Sequence, residues 1–428
     1  MNPSFRVLVF PGGTEIGLEI NRALRECKEV RLFSAGSGVS NHAPYVFARH
    51  FVVPGIHDPE WFPALNAVLE ANAIDYVFPA YDDIIVALAE NAGGLKAKVV
   101  SSPLETCRIT RSKRRTYERL AGDVPVPRVF PDASAVEQFP VFLKPECGQG
   151  SQNTHLVHDR DRLGPLLREH PDLLILSHLP GEEFTVDCFS DRERGLLFCA
   201  GRRRVRTRSG ISVHSVPVEN ERFRWFAEQI SRRLVFHGAW FFQVKEDADG
   251  ELTLLEIAPR IAGTMALHRV QGVNFPLLSL YEQERVPVDI RPIHVAVEID
   301  RALVNRYRHD LAYRAVYVDL DDTLIVNGRV NLDLVRFLYQ CVNQGKPITL
   351  VTRHREDLAA TLKKHRLTGL FDEIVHCDAS ACKADHMLGG GDSIFIDDSF
   401  RERREVAERT GMATFDSSMI EMLLDERV

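Results

Sequence analysis

The stretch VYVDLDDTL at residues 316–324 decides how the C-terminal part of the chain is read. Its apolar start predicts a strand that delivers Asp319 and Asp321, two residues apart, with Thr323 next on the same face. Period-two geometry points the two carboxylates the same way only while the strand persists; beyond its end the loop sets them. Neighbouring carboxylates invite a hard cation such as Mg²⁺. A carboxylate can also attack phosphorus and form an aspartyl phosphate. One acidic pair alone is equally a solvated strand end, so the flanking sequence carries the weight.

Working outward, an α/β alternation starts near Tyr313. VYVDL is followed by a helical pattern, PITLVT, a second helical pattern and SIFIDD. LVTRH at 350–354 places Thr352 at the end of a second strand. Lys383 precedes SIFIDDSFRE, in which Asp397 and Asp398 close a further strand and Glu402 follows. These four features, in this order, resemble the motifs of the haloacid dehalogenase superfamily. The resemblance implies a Rossmannoid phosphatase domain over residues 313–428, with Asp319 as nucleophile and Asp321 as general acid/base. Thr352 and Lys383 would hold the phosphoryl oxygens. Asp319, Asp321, Asp397 and Asp398 would be the metal-facing carboxylates, Asp398 ahead of Asp397. The first three motifs are separated by gaps of only about thirty residues each. Such gaps leave no room for a large cap, so a capless site open to a bulky or protein-borne phosphomonoester is expected.

The chain has 428 residues, which suggests two to four domains. Hydrophobic residues at 45% and charged residues at 26% exclude a disordered or fibrous protein. There are 53 basic and 60 acidic residues, a net charge of −7, which argues against sequence-independent nucleic-acid binding. The basic residues are 43 arginines and only 10 lysines, a skew given no function as a whole. None of the eight cysteines forms a C-x-x-C pair, so a zinc ribbon is not expected and a reduced, cytoplasmic protein fits best. No leader-like segment opens the sequence and no apolar run reaches membrane-spanning length, so no membrane partner is expected.

The first hundred residues also alternate strand and helix signals and predict a parallel α/β sheet. FRVLVF at 5–10 is followed by PGGTEIG at 11–17. That loop has the wrong spacing for a dinucleotide fingerprint and no Lys-Ser/Thr for a phosphate loop. Asp82 and Asp83 open a helix, where they could meet an amine or serve as an N-cap. Residues 139–260 read mainly as strands, an α+β block. Pro287 and Pro292 mark the passage into a linker.

Within that block, FPVFLKPECGQGSQNTHLV at 139–157 offers a strand, Lys144, a loop containing Gly148, Gly150 and Ser151, and a returning strand. Small residues let backbone N–H groups reach phosphate oxygens, and Lys144 adds charge. Alone this is a hairpin; its neighbours change the reading. SSPLETCRITRSKRRTYERLAGDVPVP lies upstream. LILSHLPGEEFTVDCFSD and FFQVKEDADGELTLLEIAPR lie downstream. Together they resemble ATP-grasp enzymes of the carbamoyl phosphate synthetase and biotin carboxylase type, and most of all the single-module amino-acid ligases related to them.

The resemblance covers residues 1–290. It implies a Rossmann-like pre-ATP-grasp domain (1–108), an ATP-grasp domain (109–290) and a linker (291–312). It places Lys113, Lys144, Gly148, Gly150 and Ser151 at the nucleotide phosphates, Ser177 to Leu179 at the adenine and Glu183 at the ribose. Gln243 and Glu256 would face Mg²⁺ and Arg260 would contact phosphate. One position departs: the family reads E-x-N-P-R, whereas this chain has Glu256-Ile257-Ala258-Pro259-Arg260. Ala258 has no donor atom, so a second Mg²⁺ is lost or held elsewhere. In GRRRVRTRSG at 201–210, an unbroken strand would put Arg202, Arg204, Arg206 and Arg208 on one face, suited to a triphosphate or acyl phosphate. Arg204 is accordingly grouped with the nucleotide-binding residues. His214 and His268 are read as packing or surface residues.

The expectation is therefore a bifunctional enzyme, possible as a homodimer. One part would use ATP and Mg²⁺ to join a small-molecule carboxylate and an amine through an acyl phosphate. The other would hydrolyse a phosphomonoester. A kinase with a phosphatase, or a non-catalytic ATP sensor regulating the phosphatase, are the alternatives.

Overall fold

The computed structural model describes residues 5–148, 150, 152–378, 381–387 and 392–427. The chain divides into two compact units, Met1–Leu303 and Val304–Val428.

The first unit opens with five parallel strands. They are β1 (Phe5–Phe10), β2 (Val30–Gly36), β3 (His50–Val52), β4 (Tyr76–Pro79) and β5 (Lys98–Val99), in spatial order β3-β2-β1-β4-β5. The apolar run of β1 is buried on both faces because alternate residues enter different cores. Val7 and Val9 pack with Ile20, Leu24 and Phe78; Leu8 and Phe10 pack with Phe33, Val77 and Leu88. The order in which successive strands are added reverses between the parallel neighbours β1 and β4, so the loops leaving their C-terminal ends flank a crevice. Those loops carry residues 11–14 and Asp82. Gly12 is required there, since a Cβ would lie 2.5 Å from the Cβ of Ser34.

A four-stranded antiparallel sheet follows: β6 (Val129–Phe130), β7 (Val141–Pro145), β8 (His155–Val157) and β9 (Leu173–Ser177), ordered β6-β9-β7-β8. The Arg-rich stretch upstream forms two helices, Leu104–Arg111 and Lys113–Leu120. They are separated at Ser112, whose hydroxyl caps the second by accepting from Arg115 N.

The largest sheet has six strands, ordered β14-β13-β10-β11-β12-β15. They are β10 (Glu183–Asp191), β11 (Gly195–Arg208), β12 (Ile211–Val218), β13 (Gly238–Glu246), β14 (Leu252–Ala258) and β15 (Ile299–Asp300). Phe184, Val186, Trp240, Phe242 and Val244 pack one face against helix Glu221–Arg233. The alternate positions Glu183, Gln243 and Lys245 are left to the other face. Ile299–Asp300 falls in the expected linker but pairs with β12, so 291–312 is not a free connector throughout.

The second unit is built on five parallel strands in the order β20-β19-β16-β21-β22. These are β16 (Ala315–Val318), β19 (Ile348–Thr352), β20 (Glu373–His376), β21 (Ser393–Ile396) and β22 (Ala413–Phe415), with a small hairpin of β17 (Ile325–Val326) and β18 (Arg329–Val330). Between β16 and β19 there is only this hairpin and helix Leu332–Asn343. Among the described residues, no helix is long and apolar enough to cross a membrane.

Candidate functional site

In the first unit, a cavity of about 350 Å³ lies between the four-stranded and six-stranded sheets. Lys113, Lys144, Gly148, Gly150, Ser177, Leu179, Glu183, Arg204, Gln243 and Glu256 all line it. Ser151 lies outside the described residues. His178, inside the span expected at the adenine, also lines it, and residues not anticipated from the sequence complete the walls: Phe142, Leu156, Leu176 and Lys245. Lys245 was accessible to reasoning, standing two residues beyond Gln243 on the same strand face.

The two lysines are held by backbone oxygens. Lys113 Nζ donates to Gly148 O at 2.9 Å, and Lys144 Nζ donates to Leu255 O at 3.3 Å. The Leu255 carbonyl is freed by a bulge in β14: Gln243 pairs with Glu256 but Val244 pairs with Leu254, leaving Leu255 as the extra residue. Tyr117 Oη also donates to it, at 2.8 Å. Burial, aided by the nearby charge of Lys113, drives the Lys144 amine down to about 7. A cation so poorly solvated is primed to meet an anion.

Glu183 forms an ion pair with Arg204, whose Nη1 also donates to Gln243 Oε1 at 2.9 Å. The expected single face of four arginines is not found. Register shifts between Arg204 and Arg206 and again before Thr207 break the period of two. Arg202 is 1% exposed and bonds Asp187 through Nε at 2.8 Å and Nη2 at 3.2 Å. Arg206 turns outward to Asp300 at 2.6 Å, and Arg208 is exposed. Only Arg202 and Arg204 face inward.

A second cavity, of about 640 Å³, adjoins the first and shares Gly150, Arg204, Gln243 and Glu256 with it. Its far wall is the crevice of the N-terminal sheet: Thr14, Glu15, Tyr81 and Asp82. Arg260 reaches this wall, donating to Asp82 through Nε at 2.5 Å and Nη2 at 3.0 Å. The N-cap alternative for Asp82 is thereby corrected: Tyr81 is the cap residue and makes no side-chain cap bond, while the Asp82 carboxylate serves Arg260. Burial opposes its charge, yet Arg260, Arg111 and Lys113 hold its pKa below the ordinary carboxylate range. Asp83 pairs separately with Arg111 at 2.6 Å. His268 is buried, with Nδ1 at 3.1 Å from Gln271 Oε1 and its ring against Phe198, while His214 sits 3.5 Å from Glu298.

In the second unit, three strand ends converge. β16 stops at Val318, so the loop orients the two aspartates, and they diverge. Asp319 is 6% exposed and meets Lys383 Nζ at 2.7 Å; the same nitrogen meets Asp397 Oδ2 at 2.7 Å. Among the described residues, Asp319, Asp397 and Asp398 offer oxygens within 4.8 Å of one another. Asp321 does not join them, a correction to its expected metal-facing place. It turns to His354, whose Nδ1 lies 2.9 Å from Oδ1. Sequence reasoning missed His354, although it stands two residues after Thr352. Thr352 is fully buried at the end of β19, and its hydroxyl accepts from His354 N at 3.2 Å. Thr323 Oγ1 donates to Asp398 Oδ1 at 3.0 Å and fixes that carboxylate. Burial, reinforced by Asp397 and opposed by Lys383, pushes Asp319 up to about 6. Asp397 is raised by burial against the pull of Lys383. Three hard oxygen donors beside a single ammonium fit a small divalent cation such as Mg²⁺.

Comparison with known proteins bears on the first unit. Residues 169–302 match the family model described as ATP-grasp in the biosynthetic pathway with Ter operon. No curated protein matches the sequence. Biotin carboxylase from Campylobacter jejuni aligns with a TM-score of 0.56 at 15% identity, over 67% of this chain and 72% of its own. The ADP complex of N5-carboxyaminoimidazole synthetase from Staphylococcus aureus gives a TM-score of 0.56 at 13% identity, over 68% and 80%. L-amino acid ligase from Bacillus licheniformis gives 0.52 at 17% identity, over 68% and 78%. At these identities the likeness shows the fold alone, and that fold is the mixed α/β ATP-grasp fold.

Proposed function

We propose that the first unit is an ADP-forming carboxylate–amine ligase that uses ATP and Mg²⁺. The observation that carries this reading is the gathering of Lys113, Lys144, Gly148, Gly150, Glu183 and Glu256 around one cavity, with a second cavity adjoining it. Lys113 and Lys144 neutralise phosphate oxygens, the apolar walls from Phe142, Leu156 and Leu176 sandwich the base, and Glu183 faces the ribose. The carboxylate and amine substrates occupy the second cavity, where Arg260, positioned by Asp82, steadies the acyl phosphate. Catalysis there is positioning and charge neutralisation by fixed groups. Relatives of the same fold include an L-amino acid ligase and an ADP complex, which is consistent with this chemistry. Adding hydroxylamine to enzyme, Mg-ATP and candidate carboxylates tests it. Hydroxamate formation supports an acyl phosphate; ADP without hydroxamate points to phosphoryl transfer to a hydroxyl.

We further propose that the second unit is a phosphomonoesterase of the haloacid dehalogenase type. Asp319 attacks phosphorus, Lys383 and Thr352 receive the phosphoryl oxygens, and Asp321, held by His354, passes the proton to the leaving group and takes it back from water. Asp319 and Asp398 would hold Mg²⁺, which would screen the attacking carboxylate from the phosphate charge. Release of p-nitrophenol from p-nitrophenyl phosphate in the presence of Mg²⁺ tests it. Activity that survives Asp319→Asn unchanged sinks this assignment.

A further inference from the structure

The inference below rests on the nucleotide reading of the first unit and concerns how its charge is balanced. Gln243 and Glu256 stand directly opposite one another on β13 and β14, so their side chains share one face. The next position along β14 on that face is Ala258. It packs with Phe241, Ala262 and Met265 in an apolar cluster, and its side chain has no atom that could bind a cation. The strand pair therefore presents one carboxylate and one amide oxygen, which is a poor cradle for two divalent ions.

The amide oxygen is already engaged. Arg204 Nη1 donates to Gln243 Oε1 at 2.9 Å, and the same guanidinium bonds Glu183 and the Gly210 carbonyl. The side chain is 8% exposed, yet its Nε is buried without a hydrogen-bond partner. Arg204 also borders both cavities. A buried cation with an orphaned donor, at the junction of nucleotide and acceptor spaces, awaits an anionic oxygen, because leaving such a donor unmet is costly. A dication placed at Gln243 would face this guanidinium at close range.

We infer that the guanidinium of Arg204 takes the place of a second metal ion, so that the first unit holds one divalent cation per nucleotide, on Glu256. A guanidinium cannot lose its charge under any working condition, and it meets phosphate oxygens through directed, charge-assisted bonds. The donor-free Ala258 and the inward Arg204 are then two halves of one arrangement.

The test counts metal rather than turnover. Bound Mn²⁺ is measured by electron paramagnetic resonance on the full chain, with and without the non-hydrolysable β,γ-imido analogue of ATP. Metal held without nucleotide, including any in the second unit, is subtracted. The expected increment is one Mn²⁺ per bound analogue for the native chain and for Arg204→Lys. The double variant Arg204→Gln/Ala258→Asn, which removes the fixed charge and restores a donor, is expected to bind two. In Arg204→Gln alone the analogue binds about tenfold more weakly. An increment of two in the native chain overturns the inference while leaving the ligase reading intact. If the native chain binds no analogue at all, the nucleotide reading itself fails, and this inference with it.

Discussion

Lys144 shows how burial sets chemistry at a single residue. Its amine is driven to about 7 chiefly by desolvation, so above neutral pH it is largely uncharged in the free protein. Phosphate binding restores the charge by taking up a proton. Calorimetry at about pH 8, in two buffers of different ionisation enthalpy, is expected to show close to one proton taken up per nucleotide bound. The uptake disappears in Lys144→Met. By the same linkage, nucleotide affinity declines as pH rises from about 7 toward 9. In the second unit, Asp319→Asn removes the proposed nucleophile, and phosphatase turnover is expected to fall on the order of a thousandfold or more. His354→Gln acts through Asp321 instead. It is expected to slow hydrolysis of alkyl phosphates, whose leaving groups need a proton, far more than that of p-nitrophenyl phosphate. Equal slowing of both substrates would count against a positioning role for His354.

At the scale of elements, strand β11 lies so close to helix Glu221–Arg233 that a Cβ on Gly201 would sit 2.2 Å from the Phe223 ring. Gly201→Ala is expected to destabilise the first unit by about 1–3 kcal/mol. Adding Phe223→Leu should recover part of that loss, as read from the denaturant midpoint. This level also separates what the sequence could tell from what it could not. The strand ends at Asp319 and Thr352 follow from local patterning, because apolar runs are written along the chain, whereas the pair Gln243 and Glu256 was legible only through the resemblance to ATP-grasp enzymes. The bulge that exposes the Leu255 carbonyl is not so written, since it is fixed by bonds from Lys144 and Tyr117, both more than a hundred residues away in sequence. The single face of arginines failed for a related reason: two register shifts in β11 answer to its pairing with β12. The pairs Arg260–Asp82 and His354–Asp321 join separate strand ends, which a linear reading brings near one another only after the topology is known.

For the whole molecule, the division into two compact units is the organising fact. Residues 301–313 carry no regular structure, and Arg308 is exposed. Brief trypsin treatment is expected to cleave first in this stretch and release fragments matching the two units by mass. Early cleavage inside either sheet would contradict the division. The central claim is that the first unit turns over ATP against a carboxylate and an amine. It is tested most directly by ADP release from Asp319→Asn, in which the second unit is silenced, given Mg-ATP with pooled amino acids and small carboxylates. The account expects ADP to appear only when a competent pair of substrates is present, and to vanish in Lys144→Met. ADP formation that ignores the added substrates, or persists unchanged without Lys144, would contradict it.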